Sequence, residues 1–347
     1  MKIKRVIVTG AGGPAGVNFI NSLRAALEKM HIIALDSNPF HLEWANADEK
    51  YVMEKSDNEK AYIKRLRQII IESKADFVHA QPDIEVRHIA KNRKSLGART
   101  FFPLVETIDI CQDKYESSVR WKKAGIPILK TIYINGEQSF KEAEKLFGYP
   151  YWLRASRGDS SRGSTPVPNL QTAKAWISYW KGRGVDWKFI AQEILPGRNI
   201  AFQSLWNKGE LVTSQARERI EYIYPRLAPS GVTNTPVIAK TVHDEKINEM
   251  AQKTILSVDK NATGIFCVDM KENKNGTPIP TEINCGRFFT TSFFFTKAGI
   301  NMPYYYVKLG FGEKIPLLPK VNAVPEDWYW CRHIDCSAVL IKNPSYA

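Results

Sequence analysis

The chain has 347 residues, 44% of them hydrophobic, and a formal charge of +13. This excludes a disordered tail or a minimal module and leaves room for two or three domains with proper cores. No apolar run approaches the roughly 20 residues that a bilayer-spanning helix needs, and the dispersed lysines favour polyanionic partners without marking a single basic tract.

The amino terminus, Met1 to Val6, passes directly into a strand-like pattern with no signal-type apolar region, so a cytoplasmic protein is expected. Residues 3 to about 107 alternate strand and helix signals: a strand at Ile3–Val8, a helix at Val17–Lys29, a strand at His31–Leu35, a helix at Glu59–Lys74 and a strand at Asp76–Ala80. Such alternation implies a parallel sheet with right-handed crossovers. Gly10-Ala11-Gly12-Gly13-Pro14-Ala15-Gly16 follows the first strand and opens a helix, where glycines let a backbone approach phosphate, and Asp36 ends the second strand. The spacing and the proline differ from the pyrophosphate-binding fingerprint. A ligand-free strand-to-helix turn is the ordinary reading, and a dinucleotide site is the alternative.

A second segment, about 108 to 190, opens with a helix at Asp113–Ala124 and reaches a strand at Pro150–Arg154. The loop that follows, Ala155 to Ser164, is rich in Gly and Ser and can close on phosphates through backbone N–H groups. Arg154 offers phosphate a planar fork. An exposed hairpin loop with incidental arginines is the plain alternative. Gln192-Glu193-Ile194-Leu195-Pro196-Gly197 then suits an adenine pocket, with Glu193 or its carbonyl accepting from the exocyclic amine and the Leu195 N–H donating to the ring.

A third, strand-rich segment runs from about 191 to 320. Gly264–Asp269 and Thr281–Phe288 flank a polar turn, and alternation in the second strand sends the oxygens of Glu282 and Asn284 to one side, with Asp269 near the turn of the first. Mg²⁺ or Mn²⁺ takes such ligands together with substrate phosphates, and Arg287 would counter the charge of a transferring phosphoryl group. A polar hairpin with a solvated Glu is the alternative. The tail from Val321 is expected to pack on the body, and the Phe and Tyr triplets before it to be core. Five scattered cysteines suit reduced thiols. Cys331-Arg332-His333-Ile334-Asp335-Cys336 lacks a fourth ligand for a structural metal.

Taken in order, Gln112-Asp113-Lys114, Gly125-Ile126-Pro127, Arg154 with its glycine loop, Gln192 to Gly197, and Glu282-Ile283-Asn284 with Arg287 resemble the ATP-grasp superfamily. Within it the chain looks most like the ATP-grasp halves of the carbamoyl-phosphate synthase large subunit, over about residues 3 to 310. The resemblance implies an α/β, Rossmann-like preATP-grasp domain at 1–107. Two α+β subdomains holding ATP between them would follow at 108–190 and 191–320, with a tail at 321–347. Lys114 and Arg154 match the phosphate-binding bases, and Ser160, Ser161 and Gly163 the mobile loop. Gln192, Glu193 and Leu195 match the adenine strand and hinge. Asn199 stands where the family commonly has an acid for the ribose.

Glu282 and Asn284 match the metal ligands and Arg287 the phosphoryl-steadying arginine. The family's first metal ligand usually lies early in the preceding strand, where this chain reads Gly264-Ile265-Phe266, and Asp269 is the nearest acid. The family's Asn-Pro-Arg is here Asn284-Cys285-Gly286-Arg287, one residue longer.

The implied activity is an ATP-dependent carboxylate–amine or carboxylate–thiol ligase that forms an acyl phosphate and releases ADP and phosphate. Such chemistry asks mainly for positioning and electrostatics, so no Ser-His-Asp or Cys-His set is required. Arg219 and Arg217 with the 228–235 loop, helped by Asp83 and Glu85, are the expected contacts to a small carboxylate and its nucleophile. With one ATP-grasp unit and neither a glutaminase region nor an allosteric domain, carbamoyl-phosphate synthesis itself is not expected. A homodimer is left open. Two other classes compete: a dinucleotide-dependent reductase, which leaves the second half of the chain without a role, and a basic nucleic-acid-binding protein with a regulatory ATP site, which needs a contiguous basic face with interleaved aromatics.

Overall fold

Strands β1 (Arg5–Thr9), β2 (His31–Asp36), β3 (Glu49–Val52) and β4 (Phe77–Ala80) form a parallel sheet in the order β3-β2-β1-β4. Its central strands are buried on both faces, as a parallel sheet flanked by helices requires. Those helices are α1 (Pro14–Arg24), α2 (Glu59–Glu72) and α3 (Asp83–Asn92). The computed structural model describes residues 3–157, 163–228, 231, 236–333 and 336–342. Helix α1 stops at Arg24, short of the Lys29 suggested by composition. Glu28 is drawn instead into contact with Lys4 and the Tyr304 hydroxyl, which leaves Leu27 fully exposed.

Near the start of α3, the Tyr62 hydroxyl donates to Glu85 at 2.9 Å. Burial, reinforced by Asp36 and opposed by the Thr9 and Tyr62 hydroxyls, pushes Glu85 from 4.5 up to about 7. Between those values the unfolded chain carries the ionised form and the folded chain the neutral one, so stability falls as pH rises through that window. Glu85→Gln is therefore expected to be more stable than wild type by about 2–3 kcal/mol at pH 8 and equal to it at pH 4. Urea unfolding at both pH values checks this.

Helices α4 (Val105–Cys111) and α5 (Lys114–Lys123) follow, and Asp113 caps α5 by accepting from the backbone N–H groups of Tyr115 and Glu116. A small antiparallel sheet comes next, built from β5 (Thr131–Ile134), β6 (Tyr151–Ala155), β7 (Thr165–Val167) and β8 (Phe189–Gln192) in the order β5-β8-β6-β7. Helices α6 (Glu137–Phe147) and α7 (Leu170–Gly182) cover it. This unit has a separate aromatic core in which Phe140, Tyr151 and Phe189 meet Trp176, Trp180 and Trp187.

The third unit is a seven-stranded antiparallel sheet. It contains β9 (Asn199–Asn207), β10 (Glu210–Tyr222), β11 (Pro236–Val242), β12 (Gly264–Glu272), β13 (Pro278–Cys285), β14 (Trp328–His333) and β15 (Cys336–Lys342), in the order β13-β12-β9-β10-β11-β14-β15. Helix α8 (Glu245–Val258), capped by Asp244, packs on one face. Helices α9 (Phe293–Ala298) and α10 (Met302–Gly310) join the other face to the parallel sheet. That joint is aromatic: His79 stacks on Phe19 with centroids 4.1 Å apart and meets the Tyr306 hydroxyl at 3.2 Å. Burial drives His79 down to about 3, so it stays neutral. Phe294, Phe295 and Tyr306 are buried there. The segment after Val321 does more than pack: β14 and β15 extend the large sheet past β11, and Trp330 stacks on Phe294. Ile334 and Asp335 lie outside the described residues.

Candidate functional site

Strands β12 and β13 pair antiparallel with Asp269 directly opposite Glu282. Neighbouring strands lie about 4.8 Å apart, so the two carboxylates stand side by side. Asn284 shares their face and donates to Glu282 at 3.4 Å, while its carbonyl oxygen accepts from Arg287 at 2.5 Å. The extra residue before Arg287 is absorbed by Gly286, whose φ of 79° turns the chain while its N–H donates to the Ile265 carbonyl. A Cβ at Gly286 would come within 2.5 Å of Val86 Cγ1. Gly286→Ala is thus expected to cost about 1–2 kcal/mol in left-handed strain alone and to misplace Arg287, which denaturant unfolding and turnover measured on the same sample would show.

From the opposite side of the cavity, Arg154 of β6 reaches Glu282 at 2.7 Å and Lys114, the first residue of α5, lies 3.6 Å from it. The Lys114 N–H donates to the Ser156 carbonyl at 3.0 Å, which ties α5 to the end of β6 and sets both bases against one carboxylate. Burial alone would raise Glu282, but Lys114 and Arg154 outweigh it and hold the carboxyl well below its usual range. Asp269 moves the other way, because burial, with Glu282 beside it, exceeds the pull of Arg219. Arg219 pairs with Asp269 at 2.6 Å and also approaches the Asn199 carbonyl oxygen at 3.4 Å. Burial lowers Lys114 in spite of Glu282.

These groups line a cavity of about 240 Å³ between the small and large sheets, and Gln192, Glu193, Leu195 and Asn199 close its other end. Gln192 spends its side-chain N–H on Thr131 at 2.9 Å, so it shapes the strand end. Leu195 packs with Leu129 and Ile279 into an apolar floor. Sequence reasoning missed Leu129, Met270 and Trp152, all of which line the cavity. Trp152 had a signal, since it sits two residues before Arg154 on the same strand face.

Among the described residues, Gly163, Asp83 and Glu85 do not line this cavity. Gly163 is held under Trp187, where a Cβ would meet the ring at 2.8 Å, and its carbonyl accepts from Trp176. Ser160 and Ser161, and most of the 228–235 loop, fall outside the described residues. Asp83 forms an ion pair with Arg287 and so orients the arginine rather than standing free for a substrate. Glu85 turns to Tyr62 and is not part of the cavity wall.

The amino-terminal glycine turn is filled by the chain itself. A Cβ at Gly12 would overlap the His41 carbonyl and one at Gly16 the Gly10 carbonyl, while Asp36 accepts from the N–H groups of Gly12 and Asn38. Those glycines serve close packing, and the carboxylate that a dinucleotide ribose would need is already engaged.

Together, the parallel sheet, the small sheet and the large antiparallel sheet, with a cavity between the last two, make this an ATP-grasp fold. The chain is similar in structure to the L-amino acid ligase of Bacillus licheniformis, with a TM-score of 0.69 and 12% identity over 95% of this chain and 79% of that one. It is similar also to the N5-carboxyaminoimidazole synthetase of Staphylococcus aureus complexed with ADP, with a TM-score of 0.71 and 16% identity over 95% of this chain and 82% of that one. A third is the biotin carboxylase domain of the Hydrogenobacter thermophilus 2-oxoglutarate carboxylase, in complex with MgADP, ADP and bicarbonate, with a TM-score of 0.71 and 18% identity over 96% and 75% of the two chains. No protein-family model matches the sequence. Among the described residues, no helix is long and apolar enough to cross a membrane.

Proposed function

We propose that the chain is an ATP-dependent ligase that joins a carboxylate to an amine or thiol through an acyl phosphate. The observation that carries this reading is the meeting of Asp269 and Glu282, paired across two strands, with Lys114 and Arg154 from the other side of the cavity. Two carboxylates and an amide oxygen are hard donors of the kind Mg²⁺ takes alongside phosphates. Asp269, Glu282 and Asn284 would hold the ion, which when bound draws charge off the phosphate oxygens. Lys114 and Arg154 pair with Glu282 and Arg219 with Asp269, and these bases would turn to phosphate when nucleotide enters.

Adenine then lies over Leu129 and Leu195, with hinge contacts from Glu193 and Leu195, and Asn199 faces the ribose. The substrate carboxylate oxygen attacks the γ-phosphorus, the bond to the β-phosphate oxygen breaks and ADP departs. The nucleophile next attacks the acyl carbon, phosphate leaves with the bonding pair, and the amine or thiol proton passes to solvent. Arg287, braced by Asp83 and Asn284, steadies the phosphoryl group in flight. Proteins of this fold solved with ADP or MgADP support the nucleotide assignment.

Calorimetry with ATP in the presence and absence of Mg²⁺, and with NADPH, tests the binding. A screen of carboxylates with hydroxylamine as the generic nucleophile, read as ADP release and hydroxamate mass, tests the chemistry. ATP binding that needs Mg²⁺ and hydroxamate from at least one acid are expected. Tight NADPH binding without ATP binding would sink the proposal.

A further inference from the structure

Strand β10 carries a second cavity-lining arginine, which makes no ion pair among the described residues. Arg217 is two residues from Arg219 and only 1% exposed, yet among the described residues no carboxylate pairs with it. Its guanidinium lies 4.2 Å from the centre of the Phe289 ring and donates one bond to the Thr291 hydroxyl, while Nε has no acceptor. Burial, with Arg219 beside it and only partly offset by Asp269, brings Arg217 down to about 9, which still leaves it charged at neutral pH. Burying an unpaired charge is strongly unfavourable. Such a residue at the wall of an open cavity calls for an anion from outside.

The sheet register says where that anion would sit. Arg217 pairs with Ala201 on β9, Ala201 with Asp269 on β12, and Asp269 with Glu282 on β13, so the four residues share one rung and one face. Ala201 is buried and offers only a methyl group, so no polar side chain of β9 stands on the rung between Arg217 and the carboxylate pair. Asn199, at the adenine end, lies two residues back along β9, and its partner Lys271 two residues on along β12. Arg217 is therefore level with the site of phosphoryl transfer, on the flank opposite Lys114 and Arg154.

Each nearby acid is already committed: Asp269 to Arg219, Glu282 to Arg154 and Lys114, Asp83 to Arg287. The 228–235 loop contains no acidic residue.

We infer that Arg217 anchors the carboxylate to be phosphorylated, and that the substrate is an organic acid with no ammonium group beside that carboxylate. An α-ammonium would stand among Arg217, Arg219 and Arg287, and among the described residues the remaining cavity-lining carboxylate, Glu193, closes the other end. The guanidinium fork suits a carboxylate in two-point contact, and Phe289 packs against the guanidinium from behind. This inference rests on the ligase reading for the word substrate, but the anion site itself does not.

The test uses the full chain with Arg217→Met and Arg217→Lys. Thermal unfolding is followed with saturating MgADP, with acetate as the probe and chloride at matched ionic strength as the control. Acetate is expected to raise the wild-type midpoint, to raise that of the Lys variant less and to leave that of the Met variant unmoved. Without ligand, Arg217→Met should unfold no lower than wild type, because it removes a buried charge that makes no ion pair among the described residues. A Met variant that keeps the acetate response, or unfolds several degrees lower, would overturn the anchor.

Hydroxamate formation is then compared for propionate against alanine, succinate against aspartate, and 3-phenylpropionate against phenylalanine. Reaction with the acids and not with the amino acids is expected, with the KM for acid raised at least tenfold in Arg217→Lys and the KM for ATP unchanged. Reaction with the amino acids alone would overturn the substrate class. If ATP fails to bind while the acetate response still depends on Arg217, the ligase reading falls and the anion site stands. ATP binding without that dependence sinks the anion site alone.

Discussion

Glu282→Gln should stop turnover, with a loss of at least about a thousandfold, while the protein still folds. The carboxylate is a proposed metal ligand, and electrostatic groups aimed at transferring charge are commonly worth factors of a hundred to a thousand or about 3–4 kcal/mol. The amide keeps the shape of the side chain and can accept from Arg154, but it lacks the charge that holds the ion against the phosphates. Glu282→Ala is a different experiment. It removes the carboxylate that Lys114 and Arg154, both largely buried, share, and breaking a buried pair in this way costs about 3 kcal/mol or more. Comparing ADP release with the urea midpoint for both variants separates the two effects. A Gln variant that turns over at the wild-type rate would remove Glu282 from the site.

Asp269→Asn should cost nearly as much, about a hundredfold or more, and should shift the Mg²⁺ requirement to higher concentration. Its place opposite Glu282 makes it the second carboxylate of a two-carboxylate site. Loss of its charge also leaves Arg219 unpaired beside Arg217, so the pocket becomes more positive just where the ion must bind. Rate measured against Mg²⁺ concentration reads both consequences. An Asn variant with wild-type rate and wild-type Mg²⁺ dependence would show that Glu282 and Asn284 hold the ion without it.

The early part of β12 cannot take this role. Gly264 is pressed against the Phe101 carbonyl, where a Cβ would come within 2.5 Å, and Phe266 points into the core beneath α8.

What sequence alone determined here was local. Alternation along one strand places Glu282 and Asn284 on a common face because successive side chains leave the backbone on opposite sides. Asp113 before a helical run predicts the cap that starts α5 and so positions Lys114. Tertiary structure decided whatever depends on partners distant in the chain. The register of β12 against β13, slipping by one residue just after Asp269, is what sets that acid opposite Glu282. The left-handed turn at Gly286 returns Arg287 to Asn284 despite the added residue, and its environment is provided by Val86 of α3. His41 folding over Gly12 converts a phosphate-like glycine turn into a packed corner.

Charge pairing was the least legible property of all. Composition shows which residues can carry charge, but among the described residues Asp83 has an ion-pair partner and Arg217 has none only because of which side chains the three sheets bring within a few ångströms of each other. Electrostatic energies fall with distance and rise with burial, and neither quantity is written in the order of residues.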